Sequence, residues 1–432
     1  GKGGADSLRR VSNPADARRA REFSADLGAA DLGAADLRSV VEVLDALYPP
    51  SWAASWDAVG LVSGDLDAPV RRVLLAVDAV TEVIEEAVDW GADLLVTHHP
   101  LLLRPVHSVA TSHPKGAAVT ALVRAGLALH VAHTNADVAS PGVSDALASA
   151  IGVTDLRPLR PAPGDALDKV VVFVPEEAAE RVLGAMAEAG AGRIGAYDRA
   201  AWTSSGVGTF RPLPGAHPTI GAIGRVERVA EVRLEMVVHP SRRTAVITAL
   251  RAAHPYEEPA FDVIATLGEP GPRGTGRVGT LPVAEPLGAF VERVAAALPA
   301  TQAGVRVAGR LDDPVRTVAV CGGAGDDLFD DVRRAGADVY VTADLRHHPA
   351  SESLAHGRPA LVDCSHWATE WPWLADAETR LQAALAEAGT TVETRVSAVV
   401  TDPWAHVVGP RVGIDRPKDQ PTEHETDPGE PR

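Results

Sequence analysis

One αβ pattern occurs twice in this chain. Residues 70–97 (VRRVLLAVDAVTEVIEEAVDWGADLLVT) and 315–342 (VRTVAVCGGAGDDLFDDVRRAGADVYVT) align without a gap, and each copy reads as a strand, a helix and a strand. The apolar positions of the helix and the Gly-Ala-Asp turn after it recur in the second copy. A recurrence of this length predicts an internal duplication of an αβ unit, and therefore a fold with two related halves.

Each copy leads into a further short strand that ends in a histidine, with a carboxylate four residues later. The two pairs are His133 with Asp137 and His366 with Glu370. A single pair of this kind is typical of a solvated helix face. Two pairs at corresponding strand ends, related by the duplication, instead predict two half-sites that converge.

The two copies differ at their ends. The first copy ends in His98-His99, and the register of the repeat puts Ala343 and Asp344 at these positions in the second copy. One half therefore supplies imidazoles that the other lacks, as expected of an asymmetric metal site. Imidazole and carboxylate both bind first-row transition metals, so the pattern favours metal binding. Because adjacent side chains on an extended chain point in opposite directions, we expect the two imidazoles to bind two separate ions.

Composition limits the partners. A formal net charge of −17 and an aromatic content of 4% make nucleic acid an unlikely partner, whereas a phosphorylated small molecule would need the local positive centre that metal ions supply. Two cysteines form no disulfide framework, and Cys364 is expected to pack at a strand end rather than to bind metal. The sequence shows no membrane-spanning run and no signal peptide, so we expect a soluble, cytoplasmic protein without a membrane partner.

The fold class indicated is α/β, in an α+β layered arrangement. Between the copies, the order β-α-β-β-α-β is typical of a ferredoxin-like domain, and Pro/Gly-rich joins on both sides mark it as an insertion. The predicted parts are a flexible N-terminal extension (1–36), core lobe 1 (37–164), the inserted ferredoxin-like domain (165–270), core lobe 2 (271–409) and a disordered tail (410–432).

Several motifs, taken in order along residues 37–408, resemble those of the Nif-three-like proteins, also named GTP cyclohydrolase 1 type 2 homologues. They are Thr97-His-His-Pro100, Ala132-His-Thr-Asn-Ala-Asp137, Cys321-Gly-Gly-Ala-Gly325 and Ser365-His-Trp-Ala-Thr-Glu370, and within the insert His254-Pro-Tyr-Glu-Glu-Pro-Ala-Phe-Asp262. The resemblance implies two αβ lobes around a dinuclear metal centre and a toroidal homohexamer. One motif departs from the family pattern, because Ala58 stands in Trp56-Asp-Ala-Val-Gly-Leu61 where an asparagine is usual.

The resemblance also implies the residues of the site. Carried over position by position, the metal ligands are His98, His99, Asp137, His366 and Glu370. His133 then supports a ligand rather than binding the metal itself. Independently of the resemblance, Asp344 and His347 follow the second copy closely and are candidates to support the ligands or to line the cavity as proton carriers or phosphate contacts, although His347 equally fits the polar start of a helix before Pro349.

Two functions remain open. Five protein ligands for two divalent ions (zinc, iron or manganese) leave coordination positions free, which suits hydrolysis by metal-activated water. The substrate would be a nucleotide or related phosphorylated small molecule, attacked by GTP cyclohydrolase-like ring opening or by phosphoester cleavage. Backbone N–H groups of Cys321-Gly-Gly-Ala-Gly325 either bind an anion or form an ordinary strand-to-helix turn. The alternative is a non-enzymatic, metal-dependent ring that binds a ligand or regulates a partner.

Overall fold

The computed structural model describes residues 35–164 and 166–408 and has a mixed α/β fold with several sheets and helices. Its strands are β1 (Ala35–Asp36), β2 (Gly60–Ser63), β3 (Pro69–Val70), β4 (Arg72–Ala76), β5 (Leu94–Thr97), β6 (Ala128–Val131), β7 (Thr154–Pro161), β8 (Asp168–Pro175), β9 (Ala201–Phe210), β10 (Glu227–Val238), β11 (Phe261–Ala265), β12 (Gly274–Pro286), β13 (Arg306–Ala308), β14 (Pro314–Ala324), β15 (Val339–Ala343), β16 (Ala360–Cys364) and β17 (Glu393–Val396). Its α-helices are α1 (Leu37–Leu47), α2 (Thr81–Trp90), α3 (Pro114–Ala125), α4 (Thr134–Val138), α5 (Val143–Ala150), α6 (Ala179–Glu188), α7 (Arg243–Ala253), α8 (Leu287–Ala297), α9 (Phe329–Ala335), α10 (His347–Ala355) and α11 (His366–Glu387).

The last two residues of the predicted N-terminal extension belong to the folded part of the chain. Ala35 and Asp36 form β1, which pairs antiparallel with β3. Asp36 is also the N-cap of α1, where its carboxylate accepts the backbone N–H of Ser39 at 2.8 Å. Apart from these two residues, the predicted extension and the tail predicted from residue 410 lie outside the described residues.

Two sheets each carry one copy of the repeat. The first has the order β17-β4-β5-β6-β2, with β17, β4, β5 and β6 parallel. The second has the order β13-β16-β15-β14-β12-β7, with β16, β15 and β14 parallel. The carboxyl ends of four consecutive parallel strands in the first sheet, and of three in the second, therefore lie at one edge of each sheet, where ligands commonly bind in such folds.

The two copies of the repeat fold alike. Gly91 ends α2 and Gly336 ends α9, both with left-handed φ angles, of 76° and 70°. In the turn that follows, the carboxylates of Asp93 and Asp338 each accept two backbone N–H groups from the start of the preceding strand. The donors are Arg71 and Arg72 in the first copy and Arg316 and Thr317 in the second. These turns set the same strand register in both sheets.

One apolar core fills the space between the sheets. It includes Leu75 from the first sheet, Val320 from the second, and Trp373 and Leu381 from the long helix α11. Helices α1, α5 and α8 add side chains to the same cluster. The outer face of the first sheet is covered by α2 and α3, and that of the second by α9. Strands buried on both faces explain the near-continuous apolar runs of the repeat.

The sheets cross the boundaries predicted at residues 164 and 271. Strand β7 precedes the insert but pairs with β12 in the second sheet, and β17 follows it but pairs with β4 in the first. Both strands lie outside the repeat and cover a sheet edge that would otherwise stay unpaired. Their sequences carry no signal for which of the two edges each one joins, so the division into consecutive lobes is wrong at these strands.

A separate sheet forms between the two copies. Its four antiparallel strands have the order β11-β8-β10-β9, and α6 and α7 pack against it through an apolar cluster of their own. The chain enters and leaves this unit side by side, because the N–H of Ala162 donates to the carbonyl of Arg273 at 2.9 Å. Across the described ranges, none of the helices is both long and apolar enough to cross a bilayer.

Candidate metal centre

Four histidines meet at the carboxyl edges of the two parallel-strand sets. His98 and His99 directly follow β5, and His133 lies two residues after β6. His366 lies two residues after β16 and begins α11, so Glu370 sits one helical turn further along the same face. Each of these side chains is therefore positioned by a strand end that the buried core holds in place.

Each of the four imidazoles is oriented by an acceptor at its Nδ1 atom. The acceptors are the Ala132 carbonyl for His98 at 2.9 Å, Asp78 for His99 at 2.7 Å, Asp57 for His133 at 2.9 Å and Asp344 for His366 at 2.7 Å. A carbonyl or carboxylate can only accept, so each Nδ1 carries the proton and donates it. In its neutral form each imidazole then has its lone pair on Nε2, which is the arrangement that metal-binding histidines usually have.

Glu370 lies among the inward-facing nitrogens. Its Oε1 is 3.0 Å from His366 Nε2 and 3.5 Å from His98 Nε2, and its Oε2 is 3.1 Å from His99 Nε2. On the far side of His98, Asp137 Oδ1 lies 3.6 Å from Nε2. The cluster thus has two halves, His98 with Asp137 and His99 with His366, and Glu370 contacts both.

Two atoms of this cluster, His98 Nε2 and Glu370 Oε2, are buried and make no well-aligned hydrogen bond among the described residues. Their nearest polar neighbours are the atoms of the cluster itself, because Oε2 lies 3.1 Å from His99 Nε2 and His98 Nε2 lies 3.5 Å from Glu370 Oε1. Because leaving a buried polar atom unpaired costs free energy, such atoms point to a ligand. Two sets of residues have ligand atoms within 4.8 Å of one another and could hold a metal ion: His98, His99 and His133, and His99, His366 and Glu370. Imidazole and carboxylate donors fit a divalent transition metal.

The electrostatics of the cluster favour positive charge at its centre. Burial by itself lowers the pKa of His99, but the charge of Glu370 and a hydrogen bond to Asp78 raise it to about 11. The same balance, with hydrogen bonds to Glu370 and Asp344, raises the pKa of His366 to about 9. The pKa of Glu370 lies well below its usual value despite burial, because His99 and His98 surround it. Strongly shifted groups of this kind concentrate at functional sites.

Comparison with known proteins identifies the family. The family model of DUF34/NIF3 (NGG1p interacting factor 3) matches residues 35–403. The chain belongs to this family. The resemblance to the Nif-three-like proteins, inferred from the motifs, is therefore confirmed.

Relatives and solved structures agree with the family assignment. A Mycobacterium leprae protein named "GTP cyclohydrolase 1 type 2 homolog" is 52% identical over 369 residues, covering 85% of this chain and 94% of the relative. A Bacillus subtilis protein of the same name is 39% identical over 331 residues, covering 77% of this chain and 88% of the relative. The structure of a Bacillus cereus protein related to NIF3 superposes with a TM-score of 0.67 at 37% identity, covering 87% of this chain and all of that one.

The supporting residues predicted from the sequence fall in different places. Asp344 contacts His366 directly, and the repeat register puts it at the position of His99. His347, in contrast, is exposed at the start of α10 and packs its ring against His348. His133 lies within the cluster, with its ring centroid 5.2 Å from that of His98. Cys364 is buried in the apolar core, and burial raises its thiol pKa to about 12.

The glycine motif of the NIF3 chain directs two of its N–H groups to side chains of the protein. Its first four residues belong to β14, and the N–H groups of Gly322 and Gly323 donate to the hydroxyls of Ser144 at 3.3 Å and Thr369 at 2.9 Å. These two N–H groups are therefore engaged within the protein, and the chain runs from β14 through a turn into α9, as the strand-to-helix interpretation predicts. Gly323 also brings the backbone against the cluster, because a Cβ at this position would lie 2.6 Å from Glu370 Oε1.

Sequence reasoning missed three residues that support the cluster. Asp78 lies two residues after β4 and holds His99, while the hydroxyl of Thr401 donates to the other oxygen of the same carboxylate. Asp57 holds His133 and also accepts the N–H of Thr134 at 3.0 Å. The repeat itself offered a signal for Asp78. Its register puts Asp78 at the position of Gly323, the glycine whose backbone lies against Glu370.

Proposed function

We propose that this NIF3-family chain binds two divalent metal ions, one held by His98 and Asp137, the other by His99 and His366, with Glu370 shared. One observation carries the proposal: every imidazole of the cluster has its Nδ1 tied to an acceptor, so the Nε2 lone pairs face one another around a buried carboxylate. Zinc, iron and manganese all accept these donors, and elemental analysis distinguishes them.

The reaction that best suits this centre is hydrolysis. Bound divalent ions would supply Lewis acidity and activate water. The chain itself holds the ligands in place, with Asp78 orienting His99 and Asp344 orienting His366. Five protein ligands leave room for water and substrate at two ions. The proposed substrate is a nucleotide or related phosphorylated small molecule, which the name of the relatives, GTP cyclohydrolase 1 type 2 homolog, supports.

Elemental analysis together with a turnover assay tests this proposal. We expect two ions per chain and slow hydrolysis of a nucleotide or phosphoester. A chelator should abolish this hydrolysis, and added metal should restore it. Glu370→Gln should abolish turnover while the protein stays folded. Glu387→Gln, an exposed position at the end of the same helix, is the matched control and should leave turnover unchanged. Activity that survives Glu370→Gln would contradict the proposed mechanism.

A non-enzymatic function is the second candidate. The family description, NGG1p interacting factor 3, names a binding role for the protein after which the family is called. In this alternative the metal centre stabilises a ring that binds a ligand or regulates a partner. Two tightly bound ions per chain, without turnover of any nucleotide or phosphoester tested, would favour this candidate over the hydrolase.

The assembly and the insert are further parts of the proposal. The family resemblance supports a homohexameric ring with the metal centres facing an internal cavity, and light scattering should give the mass of six chains; a stable monomer would reject the ring. The order β11-β8-β10-β9 with two packed helices supports a ferredoxin-like insert.

A further inference from the structure

A cavity of about 670 Å³ opens beside the metal centre and contains His99 and His366 in its lining. Its other walls come from residues 363–367 at the end of β16, from residues 303–306, and from the C-terminal segment 401–407. A cavity of this size accepts a ligand as large as a nucleotide. Only His99 and His366 of the proposed metal ligands line the cavity, so the rest of its wall is available to the parts of a ligand that do not bind the metals.

This wall is acidic. Four aspartates line it. Asp78, Asp344 and Asp363 are paired with His99, His366 and Arg306, whereas Asp402 Oδ2 is buried without a hydrogen-bond partner among the described residues. Among the described residues that line the cavity, Arg306 is the only arginine or lysine, and its guanidinium is paired with Asp363. A chain of phosphates extending from the metals along this wall would meet Asp402, and the lining has no unpaired arginine or lysine among the described residues to offset its charge. Groups that donate N–H, in contrast, would find acceptors there.

The wall also carries a flat aromatic surface. Trp404 lines the cavity and is 65% exposed, although tryptophan is highly buried on average. An indole face is a stacking surface for planar heterocycles, and stacking of this kind tolerates different bases. Thr401, three residues earlier, is anchored to Asp78 at the metal centre, so the segment that presents Trp404 is attached to the site.

We infer that this cavity binds a nucleoside monophosphate: its single phosphate lies at the metals, and its base stacks on Trp404 with the N–H groups of its edge facing Asp402. The inference rests on the proposed metal centre and adds the substrate class. It follows that the site selects against nucleoside triphosphates, because the second and third phosphates would lie against the acidic wall. Trp404 and Asp402 are then residues that determine specificity.

Isothermal titration of the metal-loaded full chain tests the inference with adenosine and guanosine monophosphates, the matching triphosphates, and ribose 5-phosphate as a ligand without a base. We expect at least one monophosphate to bind roughly 10-fold more tightly than ribose 5-phosphate, as base stacking predicts. The same monophosphate should also bind more tightly than its own triphosphate, because the added phosphates would lie near Asp402. Trp404→Ala should reduce monophosphate affinity to that of ribose 5-phosphate, whereas Trp404→Phe should retain most of it. Asp402→Asn should reduce the difference in affinity between the monophosphate and the triphosphate.

The matched control is Trp202→Ala, which removes a similarly exposed tryptophan, 57% accessible, from β9 of the insert and should change no affinity. Triphosphates that bind as tightly as monophosphates, or monophosphate binding that survives Trp404→Ala, would overturn the inference. If ribose 5-phosphate binds only in the presence of metal and the nucleotides bind no more tightly than it does, the inference about the base fails, whereas the proposed metal centre is supported. If no phosphate ligand binds in a metal-dependent way, both fail.

Discussion

Replacing Gly323 by alanine should empty the metal centre without unfolding the protein. Gly323 has φ +68°, and an added Cβ would lie 2.6 Å from Glu370 Oε1 and 3.1 Å from His366 Nε2. The backbone cannot easily move away, because its N–H donates to Thr369 and its carbonyl accepts from Thr342 at 3.0 Å. The side-chain ends of Glu370 and His366 must therefore shift, and both residues are proposed metal ligands.

The expected size of the effect of Gly323→Ala is judged against a second glycine with a similar backbone conformation. Gly336 has nearly the same φ, +70°, but an added Cβ there would meet no atom within 4 Å. Gly336→Ala should therefore cost only the left-handed strain of a non-glycine residue, about 1–2 kcal/mol. Gly323→Ala carries the same strain and also displaces a shared ligand. Loss of a supporting partner typically lowers metal affinity 10–100-fold, so we expect a loss of at least roughly 100-fold, about 2.7 kcal/mol of metal-linked stability.

Thermal unfolding of both variants, with chelator and with saturating metal, separates these effects. In chelator the two variants should melt within a few degrees of each other. Added metal should raise the melting temperature of Gly336→Ala as much as that of the unchanged protein, and that of Gly323→Ala much less. If Gly323→Ala retains two ions per chain with unchanged affinity, the proposed position of the ions beside this backbone is wrong.

Three further predictions concern the same centre and the insert. His366→Ala should remove the metal. Asp344→Ala removes only the carboxylate that accepts from His366 Nδ1, so it should weaken metal binding roughly 10–100-fold and leave ions bound at saturating metal. Complete loss of metal in both variants would contradict the assignment of Asp344 as a supporting residue. Deleting residues 165–270 with a short linker should leave a soluble, metal-binding protein, because the chain ends of the insert lie side by side; insolubility of several such variants would show that the insert supports the core. In chelator, the pKa values of His99 (about 11) and His366 (about 9) lie above the ordinary 6.5, so their stabilisation is complete below about pH 6.5 and is lost as the pH rises through 9 to 11. Metal should replace that charge, so the melting temperature of the loaded protein should change less between about pH 7 and 10 than that of the chelated protein.

Much of the site was readable from the sequence because its signals are local. The repeat predicted two equivalent sets of strands, and the glycine and aspartate of each turn do set the same register in both. The placement of His98, His99 and His366 at the carboxyl ends of parallel strands also followed, whereas their convergence with Glu370 required the two sheets to pack against a common core. The asymmetry between the copies directed attention to Asp344, which contacts His366.

The tertiary structure decided what depends on contacts between distant parts of the chain. Strands β7 and β17 each join the sheet of the other half, a choice made by which edge is free and not by any local pattern. The partners of the glycine motif could not be predicted, because they come from helices far away in sequence, Ser144 on α5 and Thr369 on α11. Likewise, Thr401 reaches Asp78 only because β17 pairs with β4 and returns the C-terminal segment to the first sheet. Periodicity and turn chemistry act within a few residues, whereas the packing of α11 between the two sheets brings these remote groups together.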